Sequence, residues 1–209
     1  MKVYPMELGG YAANCYFLTV GSKVVVVDPG ADAGKVVNYL SSNDLELEAI
    51  LITHAHFDHI GAVKDLVEYY GVKVYAHVRE REYYLDAALN LSAKVGRDIV
   101  AFDDLSAFHF LNGGERLDLL GAEFSCLHVP GHSPGSVCFY VENLKMIFTG
   151  DVLFRYGIGR SDFVHGNHEQ LVNGIKDKLL VLSDDVVVYP GHGGASTILD
   201  EKNGNPHLK

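Results

Sequence analysis

Apolar and polar positions change period in a regular order along the chain. NCYFLTV (Asn14 to Val20) and KVVVVDPG (Lys23 to Gly30) read as strands joined by a two-residue hairpin turn at Gly21-Ser22. ADAGKVVNYL then has helical spacing, LEAILIT reads as a buried strand, and IGAVKDLVEYYG as an amphipathic helix ending at Gly71. Strand VKVYAH follows, then a predicted helix over REREYYLDAALN carrying Tyr83 and Tyr84. From about residue 92 to 112 the periodicity fades, and that stretch is expected to form a loop or lid.

The second half repeats the style. ERLDLLG, AEFSCLHVPG, GSVCFYVEN and LKMIFTGD are four predicted strands separated by Gly or Asn turns, NHEQLVNGIKDKLL is a helix, and DVVVYPG a last strand. Two halves that each run from strands to helix predict two sheets packed face to face with helices outside. That is an α/β (α+β) class, a four-layer αββα sandwich, rather than a doubly wound parallel sheet. At 209 residues the chain is expected to form a single domain spanning 1–209.

Composition narrows the function classes. The chain is 48% hydrophobic and 21% charged, and no apolar run approaches the roughly eighteen residues of a membrane span. The opening MKVYPMELGG lacks the apolar core and cleavage site of a secretory signal, so a cytoplasmic location is expected. A formal charge of −10 without any basic run argues against nucleic acid as a partner. Cys15, Cys126 and Cys138 lack CxxC spacing and are expected as small core hydrophobes.

The candidate chemistry begins at THAHFDHIG. In an extended segment leaving a strand, His54 and His56 project to the same side and can share one ion. Asp58 and His59 fall on the turn before the next helix and can face a neighbouring position. A lone HxH would be read as surface histidines with Asp58 as a helix cap. Three further stretches weaken that reading: CLHVPGH ends in His132, IFTGD in Asp151 and VVVYPGH in His192, each after an apolar strand and a turn glycine. If His54, His56 and His132 hold one ion, and Asp58, His59 and His192 another, with Asp151 bridging, each ion has four protein ligands. Imidazole and carboxylate donors suit zinc, with iron and manganese as alternatives.

THAHFDHIG, PGHSPGS, FTGD and YPGH together resemble the metallo-β-lactamase superfamily, and more closely its glyoxalase II-like, or hydroxyacylglutathione hydrolase-like, branch. The family's HxHxDH motif matches His54, His56, Asp58 and His59, and its later ligands match His132, Asp151 and His192. The resemblance runs from about residue 12 to the C-terminus and implies the αββα fold. It also implies two divalent metal ions, zinc first, and a hydrolase that attacks small acyl thioesters with a metal-bridging hydroxide. S-D-lactoylglutathione is the leading substrate, and Asp58 doubles as a catalytic residue orienting the nucleophile. FRYGIGRSDF resembles the small glyoxalase II-like hydrolases and suggests Arg160, Tyr156 and Phe163 as substrate-facing, with Tyr11 as a further lining residue; an ion pair between Arg160 and Asp162 is the equal alternative.

Six other histidines, His77, His109, His128, His165, His168 and His207, match no ligand position, although His128 lies on the approach strand to His132. The chain departs from full-length glyoxalase II enzymes in ending 17 residues after His192, with one short helix opened by a Thr197 to Asp200 capping box in place of a helical domain that grips glutathione. A lactonase, a β-lactamase or an iron-dependent sulfur dioxygenase using the same centre are the alternative activities, because family membership does not set the substrate.

Overall fold

A computed structural model describes residues 1–96 and 99–209. The first sheet contains β1 (Lys2–Leu8), β2 (Ala13–Val20), β3 (Lys23–Val27), β4 (Glu46–Leu51), β5 (Lys73–His77) and β6 (Phe108–Leu111), in that spatial order. β1, β2 and β3 are antiparallel, and β3 to β6 run parallel. In the second sheet β7 (Arg116–Leu119), β8 (Ala122–His128), β9 (Val137–Val141) and β10 (Met146–Gly150) form an antiparallel meander. A small hairpin of β11 (Leu153–Phe154) and β12 (Gly157–Ile158) follows. β13 (Val187–Pro190) then lies parallel to β10, with β14 (Ser196–Thr197) at the edge.

Side-chain alternation sorts these strands into three cores. From β2 and β3, Phe17, Val24 and Val26 face outward onto Val36 and Leu40 of α1 (Ala33–Ser42), Ile60 of α2 (Phe57–Ile60) and Leu66 of α3 (Val63–Tyr70). Their neighbours Tyr16, Leu18, Val25 and Val27 face the second sheet, meeting Phe124, Phe139 and Phe148. On that sheet's far side Cys138, Ile147 and Val188 pack on Leu171 of α6 (His168–Gly174), Ile175 and Ile198 of α7 (Ile198–Gly204). Three cores between four layers make the αββα sandwich. They explain why strands such as VVVV read as continuous apolar runs, since both faces are covered. Truncating a central side chain such as Phe139, 0% exposed, to Ala is expected to cost about 3–5 kcal/mol. The three cysteines are free and buried, one in each core.

Several local expectations differ from what forms. β1 is an additional strand: KVYPMEL is mostly exposed, holds Pro5 and sits at the sheet edge, where a missing ladder donor is tolerated. The helix expected from Ile60 begins at Val63 as α3, and Asp58 and His59, expected on a turn, lie in the separate single turn of α2. The helix expected over residues 79–90 shrinks to α4 (Arg81–Leu85) after a 3₁₀ turn at Val78–Glu80. Asp86 ends it by accepting the Ala88 N–H, and the Asn90 side chain donates to the Tyr83 and Val100 carbonyls. The stretch expected as a loop or lid contains α5 (Ser92–Val95) and β6, while residues 97 and 98 lie outside the described residues. At the C-terminus the Thr197 to Asp200 capping box forms as read. Among the described residues no helix is long and apolar enough to cross a membrane.

Candidate metal centre

The candidate donors follow strand ends at one edge of the sandwich. His54 to His59 lie beyond β4, His132 beyond β8, Asp151 directly after β10 and His192 beyond β13. Each is carried on a short connection held by a buried strand, so rigid elements set the spacing. The ligand atoms of His54, His56 and His132 lie within 4.8 Å of one another, as do those of Asp58, His59 and His192. Asp151 spans the two groups: Oδ2 is 3.7 Å from Nε2 of His132, and Oδ1 is 3.4 Å from Nε2 of His59 and 3.7 Å from Nε2 of His192. The backbone approaches so closely here that only glycine fits at position 191. A Cβ on Gly191 would lie 2.2 Å from Oδ1 of Asp151.

The hydrogen-bond pattern outside the cluster determines which ring nitrogens face into it. Asp28, buried at the end of β3, accepts the Thr53 N–H at 2.8 Å and the Thr53 hydroxyl at 2.5 Å, and it lies 3.0 Å from Nδ1 of His59. Because the Thr53 hydroxyl donates to Asp28, its lone pair is left for Nδ1–H of His54 at 3.2 Å. Nδ1 of His132 donates to the Arg160 carbonyl at 2.7 Å, since a carbonyl only accepts. All three rings are thereby held from outside with Nε2 turned into the cluster, where Nε2 of His132 lies 2.9 Å from Nδ1 of His56. His54 Nε2, His59 Nε2 and Asp151 Oδ1 are buried without a hydrogen-bond partner. Buried, unpartnered ligand atoms turned into one cluster, with the histidine rings oriented by outer hydrogen bonds, fit the binding of divalent cations.

Electrostatics agree. Burial, reinforced by neighbouring His59, holds His54 well below the ordinary imidazole value. His56 is pushed down to about 3 by burial and by His132. Both are neutral and ligand-ready near pH 7. Burial opposes charge on Asp151 and Asp58, yet His59 carries Asp151, and the His192 bond carries Asp58, below the usual carboxylate range. Burial also opposes charge on His59 and His192, and the aspartates overcome it, raising both. The cluster thus attracts positive charge, and its two-group donor set of imidazole and carboxylate fits a pair of divalent metal ions.

The expected substrate-facing residues are placed differently from one another. Phe163 stands edge-on to His56 and His132, with ring centroids 5.1 and 5.6 Å away. The exposed Arg160 side chain forks Asp162 at 2.8 and 3.0 Å and lies over Phe163, while its carbonyl orients His132. Tyr156 packs against Gly204 of α7, its N–H donating to Glu201. Tyr11 is exposed and meets Phe57 edge-on at 5.0 Å. These two rings, with Leu8, Asp32, Asp58 and Val100, line a cavity of about 590 Å³ beside the cluster, and none of its described lining residues is basic. His128 stacks on His77 at 4.0 Å and bonds the Pro134 carbonyl, outside the cluster.

Asp28 and Glu80 escape a reading of the sequence. Asp28 carries one local signal, an acidic residue closing the apolar run VVVV before Pro29-Gly30. Glu80 carries none, because its partners Ala55, Ser133 and Gly135 are distant along the chain.

Comparison with known proteins agrees with this geometry. Residues 8–192 match the sequence profile of the metallo-beta-lactamase superfamily. The hydroxyacylglutathione hydrolase GloC of Haemophilus influenzae is 36% identical over 210 residues, covering 100% of this chain and 98% of the relative. The crystal structure of the BLEG-1 B3 metallo-β-lactamase is 39% identical with a TM-score of 0.94, covering 100% of both chains. The crystal structure of TTHA1623 in a di-iron-bound form is 37% identical with a TM-score of 0.88, covering 99% of this chain and 100% of that one. A profile match over most of the chain, the αββα sandwich and a His/Asp cluster at the strand ends lead to one conclusion: the chain belongs to the metallo-β-lactamase superfamily.

Proposed function

We propose that this superfamily hydrolase is a dinuclear thioesterase of the hydroxyacylglutathione hydrolase kind, with His54, His56 and His132 holding one cation, Asp58, His59 and His192 the other, and Asp151 between them. The observation that carries the reading is the pair of three-donor groups bridged by one carboxylate, supported by the similarity to GloC over the whole chain. Zinc is the first expectation, and iron is a credible occupant given the di-iron form of a similar structure. When bound, the cations supply a water acidified toward neutral pH and polarise the substrate carbonyl.

The chain's own residues do the rest. Asp58, held ionised beside His192, orients the attacking water. Phe163 covers His56 and His132 and keeps bulk water off them. The cavity beside Asp58 receives one arm of the substrate against Tyr11 and Phe57. A thiol leaves as a thiolate with a parent pKa of roughly 8.5, so no separate general acid is required.

The test is thiol release by the metal-loaded protein from S-D-lactoylglutathione and coenzyme A thioesters, beside lactones and nitrocefin. Turnover is expected to be highest on the hydroxyacyl thioester. Absence of thiol release from every thioester overturns the reading. Nitrocefin hydrolysis exceeding thioester hydrolysis would favour the second reading, a β-lactamase, which the similarity to BLEG-1 supports.

A further inference from the structure

Glu80 is a carboxylate that the proposed chemistry does not use, and it is 1% exposed. It sits at the end of the 3₁₀ turn after β5 and reaches two connections that are distant in sequence. Oε2 accepts the Ala55 N–H at 2.9 Å, and Oε1 accepts the Gly135 N–H at 2.6 Å and the Ser133 hydroxyl at 2.7 Å. Ala55 lies between His54 and His56, and Ser133 follows His132. Every donor of the first group is therefore one peptide from an anchor on Glu80. The Asp58, His59 and His192 group has no such anchor on Glu80 and relies on Asp28 at His59.

We propose that Glu80 is a positioning residue that clamps the His54–His56 segment to the His132 connection and so sets the affinity of the three-histidine site selectively. The chemistry of the clamp is specific. Both backbone partners are N–H donors, and Ser133 donates as well, so the group at position 80 must accept at both of its oxygens. A carboxylate does this. An amide of the same shape turns its NH₂ against either the Ala55 or the Gly135 N–H, releasing one connection while filling the same space. Losing an outer-shell partner of metal-binding histidines typically weakens metal binding about 10- to 100-fold.

The inference rests on the dinuclear reading above, and its experiment reads metal affinity rather than turnover. Zinc is titrated against a competing chelator in the wild-type chain, E80Q, and His132→Ala, the last marking which step belongs to the three-histidine site. Circular dichroism checks folding. Folded E80Q is expected to weaken the step marked by His132→Ala about 10- to 100-fold and to leave the other within about threefold. A merely structural role would move both steps together. Equal weakening of both, or no change in either, overturns the proposal. If E80Q fails to fold, Ser133→Ala decides: it keeps both backbone bonds and removes one arm, so it should weaken the same step by a smaller factor, and an unchanged step overturns the clamp. A wild-type chain with no His132-dependent step overturns clamp and centre together. Two bound ions without thioester hydrolysis overturn only the substrate assignment.

Discussion

Oδ2 of Asp28 lies 3.0 Å from Nδ1 of His59, 31 positions further along the chain, and both side chains are buried. The contact points Nε2 of His59 at Asp151, and through Thr53 the same carboxylate orients His54. A carboxylate behind a histidine in this way makes the imidazole a stronger, correctly aimed ligand.

Asp28→Asn should therefore weaken cation binding about 10- to 100-fold at the Asp58, His59 and His192 group, and to a smaller degree, through Thr53 and His54, at the three-histidine group, while the chain remains folded. Chelator competition on the purified variant checks it. Unchanged affinity would mean that His59 is oriented by something other than Asp28.

Asp151 is the shared carboxylate, so Asp151→Ala should lower occupancy at both groups rather than one. Elemental analysis after gel filtration is expected to give fewer than one ion per chain, against two for the wild type. Removing the ions with a chelator should abolish hydrolysis and lower the melting temperature. Each cation at a hundred times its dissociation constant stabilises the folded chain by about 2.7 kcal/mol.

In the proposed mechanism Asp58 both holds a cation and orients the attacking water. Asp58→Asn should reduce kcat by about 10²- to 10⁴-fold with a much smaller change in KM. Steady-state kinetics on a thioester separates the two parameters, and an effect confined to KM would reassign Asp58 to substrate binding.

Gly191→Ala tests the close approach of β13 to the cluster. The added methyl would meet Asp151 at 2.2 Å and Cε1 of His59 at 2.7 Å. The expected result is a stability loss of about 1–3 kcal/mol in urea unfolding, together with loss of bound metal.

The cysteines make a prediction about alkaline pH. Burial, with a small contribution from Glu115, raises the Cys126 thiol to about 12, and burial raises Cys15 and Cys138 as well. A thiol raised by folding adds stability that is complete below the ordinary value of about 8.5 and is lost as pH climbs toward the folded value. Melting temperature should hold to about pH 8 and decline above it. A thiol reagent at pH 8 should find none of the three cysteines in the native chain and all of them after denaturation.

How much of this was legible in the sequence depended on distance along the chain. His54, His56, Asp58 and His59 announce themselves because four polar residues follow one apolar strand, and His132, Asp151 and His192 repeat that context. The two-sheet order follows from strand runs whose both faces are buried, as Val24 to Val27 show. Glu80 is not legible, and Asp28 only faintly, as the acidic residue that closes the apolar run VVVV. Their meaning lies in partners 25 to 55 positions away, and no local period marks them. β1 escaped because an edge strand buries too little to show alternation, and β6 because four residues are too few. The helix over residues 79–90 was overextended because its period ignored Asp86, whose side chain caps a turn instead of continuing the helix.

The division of donors between the two sheets has a consequence for biosynthesis. His54, His56, Asp58 and His59 come from the amino-terminal half, and His132, Asp151 and His192 from the carboxy-terminal half. Neither half emerging alone from a ribosome presents a complete set. A full donor set therefore exists only once the halves have joined, which makes the candidate centre a property of the finished tertiary fold rather than of either half.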